Sequence, residues 1–161
     1  MKKMRMFTAL VLVLVLAFSA FTGCGKQEAP AATTPAGKMF EKFKTEIKDN
    51  TDIEAVANAL VSDEELFPFA PMVMEVEPGY LNGFNDEISG FNKGVMFGPM
   101  IGSIPFVGYI FEADDAKALA ETLKESGQLN WNICTVADEM LCETEGNYVF
   151  FVMSPNDFSD N

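Results

Sequence analysis

Between Lys93 and Glu112 lies a stretch of eighteen residues without a charge, GVMFGPMIGSIPFVGYIF, and it restricts the fold more than any other part of the chain. A helix crossing a bilayer needs about 20 apolar residues with every backbone group satisfied internally. Four glycines and two prolines break this run too often for that. Two buried strands, about 94–101 and 106–112 and joined through Gly102-Ser103-Ile104-Pro105, account for the same residues. The rest of the chain must then supply the cover for a buried hairpin.

Two amphipathic helices precede it. Phe40, Phe43 and Ile47 recur at helical spacing up to Asp49-Asn50. Thr51 with Glu54 reads as a capping box, followed by the stripe Ile53, Val56, Ala57 and Leu60. Residues 71–77, PMVMEVE, set Met72, Met74 and Val76 against Val73, Glu75 and Glu77, a strand with one wet face, and Pro78-Gly79 turns the chain. Asp114 is placed to cap a helix carrying Ala116, Leu119, Ala120 and Leu123, stopped by Gly127. MLCETEGNYVFFVM reads as two strands around Glu145-Gly146-Asn147, the second apolar on both faces and hence central. This order predicts an α+β domain, a mainly antiparallel sheet with helices packed on one face.

The start of the chain carries a different signal. Lys2, Lys3 and Arg5 precede an apolar stretch from Phe7 to Phe18, the length of a secretory h-region and too short for a stable span. Small residues then gather before a thiol, and Thr22-Gly23-Cys24 resembles the lipobox of a bacterial lipoprotein signal. That resemblance implies cleavage before Cys24, diacylation of its sulfur, and retention on the extracytoplasmic face of the cell membrane. Two acyl chains hold where one is marginal, at about 0.8 kcal/mol per buried CH2. The organisation expected is a signal peptide over 1–23, a lipidated cysteine with a tether over 24–37, and one domain over 38–161. Gly25 to Gly37, GKQEAPAATTPAG, has no apolar period and too little hydrophobic surface to fold alone.

Loss of residues 1–23 removes three of the 11 cationic residues and none of the 24 acidic ones. Eight lysines then face 24 carboxylates, a formal charge of −16. A chain so poor in cations does not neutralise phosphates, so nucleic acid is excluded as a partner. Its folded part is equally unsuited to an anionic lipid surface. The membrane is expected as a partner only through the N-terminal lipid.

The chain has no His, and its single Arg falls in the leader, so the usual general base and the usual oxyanion clamp are both missing. Carboxylate chemistry is the catalytic alternative, a hydrolase drawing on Glu75, Glu77, Glu112, Asp114 and Asp115, against which stands their plainer use in capping and solubility. The clusters Asp49-Asn50-Asp52-Glu54, Asp63-Glu64-Glu65 and Asp157-Asp160 offer hard oxygen ligands without the spacing of a calcium loop. Met72 with Met74, and Met96 with Met100, are thioether pairs of the kind that suits Cu(I), but their apolar neighbours favour core packing. Cys134 and Cys142 either form a disulfide across a short loop or remain buried free thiols. Phe67, Phe69, Tyr80, Phe84 and Phe91 lie in loops. If exposed they make a binding surface, whereas if buried they cover the sheet edge, which is the favoured reading.

YLNGFNDEI, the strand and helix of YIFEADDAKALAETLKE, and the closing GNYVFFVMS together resemble the small uncharacterised lipoproteins of Gram-positive gut bacteria that carry a domain of unknown function. The resemblance spans about residues 75–155 and implies a fold and a location, with no chemistry. The expectation is a membrane-anchored, non-catalytic binding or accessory module with no cofactor and no metal, serving another envelope protein or a small ligand. A structural envelope protein without a specific ligand is the other non-catalytic alternative.

Overall fold

The computed structural model describes residues 33–158. The leader and Cys24 lie outside the described residues. The first helix, α1 (Pro35–Asp49), is capped by Thr34, whose Oγ1 accepts from the Gly37 N–H at 3.2 Å. Pro35 occupies the first turn, where its missing N–H costs no hydrogen bond. The helix thus starts inside the segment expected to be a tether, and Ala36 and Gly37 are already buried. Helix α2 (Ile53–Val61) is capped by Asp52, whose carboxylate accepts from the Glu54 N–H at 3.2 Å, and Thr51 does not act as the cap. All four residues of its expected stripe are buried.

Next come β1 (Pro71–Val76), a short ribbon of β2 (Gly79–Tyr80) with β3 (Glu87–Ile88), then β4 (Lys93–Pro99) and β5 (Val107–Glu112). The uncharged run is therefore an antiparallel hairpin, with Met96 opposite Tyr109. Helix α3 (Ala116–Ser126) is capped by Asp115 accepting from the Ala118 N–H at 3.0 Å. Asp114, the expected cap, instead accepts from Asn92 Nδ2 at 2.9 Å. Gly127 ends the helix through an N–H donated to Leu123 O at 2.9 Å. Strands β6 (Glu139–Glu145) and β7 (Tyr148–Ser154) close the chain, turning at Gly146 with φ +62°.

The five-stranded sheet is antiparallel throughout, in the order β1-β4-β5-β7-β6. This is the expected α+β arrangement, but the helices are not confined to one face. Val95, Phe97, Ile110, Phe150 and Val152 share one core with α1 and α2. Their neighbours Met96, Tyr109, Phe111, Phe151 and Met153 point the other way, into a second core with α3. The cause is the period of two: strands apolar at every position have two dry faces, and each needs its own cover.

The first face is covered along its whole width, by α2 over β1, β4 and β5 and by α1 over β6 and β7. On the second face α3 lies over β6 and β7. The loop before β4 extends that cover inward: Phe84 packs on Tyr109 and Phe151, and Phe91 on Phe111. The cover thins toward β1, where Met72 and Met74 are exposed.

Candidate functional site

Strand β1 carries exposed apolar side chains, Met72 and Met74, at the edge of the sheet. Register places Met72 opposite Gly98 and Met74 opposite Met96, so these four positions share one face of the β1–β4 ribbon. It is the second face, because Met96 packs with Tyr109 in the α3 core. Just past β4, Met100 donates its N–H to Ala70 O at 2.9 Å. Met72, Met96 and Met100, with Ile101, Val107 and Trp131, line a groove of about 170 Å³. No charged side chain lines it.

Gly98 brings no side chain to this face opposite Met72, and a Cβ there would stand in ordinary contact with Phe106, 3.5 Å from its O and 3.8 Å from its Cδ1. The rim is tied across two loops. Asn132 Nδ2 donates to Gly102 O at 2.6 Å and Thr135 Oγ1 to Ser103 O at 2.9 Å. Ile101, Ile133 and Val136 stay exposed on those loops. Trp131 Nε1 is buried without a hydrogen-bond partner among the described residues.

The methionines correct the core reading. Met96 is 7 % exposed, but Met72, Met74 and Met100 are 36, 46 and 69 % exposed. The strand expected over 71–77 forms, yet its methionine side is open, while Val73 and Val76 pack into the first and second cores. A period-two pattern identifies the strand; it does not say whether a neighbour arrives to cover it.

The loop aromatics do not form a single surface. Phe67 and Phe91 are buried, Phe69 and Phe84 are half-buried, and only Tyr80 of the five is exposed. Phe67 and Phe69 pack with Phe106 and Phe158 beside the first core, and Phe84 and Phe91 belong to the second.

Cys134 and Cys142 are both free rather than bridged. Cys142 faces inward from β6, with its Sγ 3.5 Å from Ala120 O, and burial pushes its thiol up to about 12. Cys134 is exposed on the loop that carries Asn132. Of the carboxylates proposed for hydrolysis, Asp115 caps α3, Glu112 accepts from Asn147 at 3.3 Å, and Glu75 lies 3.9 Å from Lys93. In the acidic clusters, Asp52 accepts from Lys93 at 3.1 Å and Asp63 from Lys42 at 2.9 Å, contacts that hold both carboxyls below the usual value. No three His, Cys, Asp or Glu side chains converge as a metal site among the described residues. Asp160, named in the last cluster, lies outside them.

Trp131, Asn82 and Ile101 had no signal in the sequence that tied them to a site. Their role as groove lining comes from loops brought together across the sheet. No protein-family model matches the chain, and neither the curated proteins nor the solved structures include a match. No helix among the described residues is long and apolar enough to cross a membrane.

Proposed function

We propose that this chain is a membrane-anchored extracytoplasmic lipoprotein whose domain is a non-catalytic binding module. Processing before Cys24 leaves a diacylated sulfur at the mature N-terminus. The observation that carries this reading is Thr22-Gly23-Cys24 following a cationic start and a short apolar run. An acidic domain without His or Arg, standing off an anionic bilayer, supports it. So does the uncharged groove over β1 and β4, which offers apolar surface for recognition where acid–base groups are missing. The small lipoproteins named above fit the same picture.

The test is Cys24→Ala in living cells. The wild-type chain is expected in the membrane fraction with acyl mass on its N-terminal residue. The variant is expected either to leave that fraction or to retain its leader. Unchanged fractionation together with an unchanged N-terminal mass refutes the anchor.

A further inference from the structure

Buried methionines fill gaps; exposed ones leave apolar thioethers in water, where packing does not account for them. Four of the ten methionines lie at one end of the sheet, and three of them are exposed. Met74 sits directly opposite Met96, which sets their Cβ atoms about 4.5–5.5 Å apart. Met72 stands opposite Gly98 by register, and Met100 lines the same groove. Each side chain has three rotatable bonds, so the exposed thioethers of Met72, Met74 and Met100 can turn toward Met96, the buried member of the set on the same face.

The surroundings restrict what such a point can hold. Calcium and magnesium require several oxygen ligands, and among the lining side chains only Asn82 carries an oxygen. Zinc prefers thiolate or imidazole, and neither lines the groove. Uncharged thioethers select a soft, weakly hydrated ion, Cu(I) above all. Trp131 adds an aromatic face, which attracts cations. The field of a strongly acidic domain raises the local concentration of any cation.

We propose that Met72, Met74, Met96 and Met100 form a thioether site for Cu(I) on the open face of β1 and β4. The proposal rests on the groove being the module's binding surface. Each sulfur donates a lone pair, the copper keeps its oxidation state, and no proton is released. Binding is therefore independent of pH across the range where His and Cys ligands would compete with protons.

The test uses the full chain carrying Cys24→Ser and Cys134→Ser in detergent micelles, leaving Cys142 as its buried thiol. Cu(I) is titrated anaerobically under ascorbate, with Ag(I) as a redox-inert probe, against a chromophoric Cu(I) chelator. Trp131 is the single tryptophan, so its emission reports on the groove itself. The expected result is quenching that saturates at one equivalent, equal at about pH 5.5 and about pH 7.5, with no response to Zn²⁺. Replacing all four methionines by Leu keeps the volume but leaves no thioether donor, and is expected to abolish saturable binding. Met72→Leu with Met100→Leu, both at exposed positions, gives the same direction of change if the fourfold variant fails to fold. Unsaturable uptake, an adventitious ion only, overturns the proposal, as does undiminished affinity in the Leu variants. Fractionation of Cys24→Ala is independent of copper, so loss of this site and loss of the anchor are told apart.

Discussion

The two cysteines of the domain show how far one side chain's surroundings set its chemistry. Cys142 sits opposite Phe151 on the inward side of β6, under Ala120 of α3, and desolvation disfavours its thiolate. Cys134 is exposed, eight positions earlier. A disulfide reagent at neutral pH is expected to modify Cys134 quickly and Cys142 only on unfolding, read as one mass addition to the native chain and two to the denatured one in a Cys24→Ser background. Equal rates at the two sites would contradict the burial. The same shift has a sign in stability. The folded value is raised above the unfolded one, so the stabilisation is intact below 9.0 and drains away as pH rises toward about 12. Tyr109 adds to this alkaline loss: it is buried, its hydroxyl donates to Asn82 O at 2.9 Å, and its ionisation is pushed above the ordinary tyrosine value of 10.0. Whether the cysteines would bridge was not legible from their spacing. The answer depends on which face of β6 carries Cys142, and that is fixed by pairing with β7.

At the level of elements, helices were easier to read than their caps. The stripes of α1, α2 and α3 follow the 3.6-residue period, and the core residues named from them are buried. Both acidic caps fall one residue later than the sequence suggests. Thr51-Asp52 and Asp114-Asp115 each offer two adjacent side chains able to cap, and only backbone geometry selects one. Asp115→Ala is accordingly expected to cost about 1 kcal/mol, while Asp114→Ala, which loses only an exposed contact with Asn92, should stay within about 0.5 kcal/mol. Urea midpoints of the two variants decide this, and the reverse order would return the cap to Asp114. The sheet was legible for a similar reason, since β4, β5 and β7 are apolar runs with Gly or Pro at or near their ends. The division of helices between faces was less so, although the two apolar faces of β7 already implied it. The groove was least legible of all. The thioether pairs are visible in the sequence, but their exposure depends on α3 packing over β6 and β7 while β1 lies at the far edge of the sheet.

For the whole molecule the governing quantity is charge. Over the described residues 33–158, folding gathers 22 carboxylates and seven lysines into one body, whereas the unfolded chain spreads them apart. Net repulsion therefore opposes the folded state. Attraction works against this at a few points: Lys42 with Asp63, Lys44 with Glu41, and Lys93 between Asp52 and Glu75. These pairs are partly exposed, and pairs of that kind contribute little. Salt weakens both effects, but the repulsion is summed over many more charges than the attraction. Screening extends to about 10 Å at 0.1 M ionic strength, short enough to cut interactions across the domain while leaving contact pairs partly intact. Raising NaCl from about 10 mM to about 200 mM should therefore raise the thermal midpoint, a shift toward stability that an ion-pair-dominated fold would not show. A thermal series in NaCl, repeated in a non-ionic osmolyte of equal osmolality, measures it. A falling midpoint would mean that the Lys42 and Lys93 pairs outweigh the repulsion. In acid the sign reverses for two groups. Asp52 and Asp63 have folded values below the unfolded 3.8, so their contribution is present above 3.8 and is lost as pH falls through the folded values. The same repulsion acts between the domain and anionic headgroups. An acidic module then gains nothing from lying on an anionic bilayer, and under the anchor proposed above a lipid on Cys24 would supply the retention that its surface cannot.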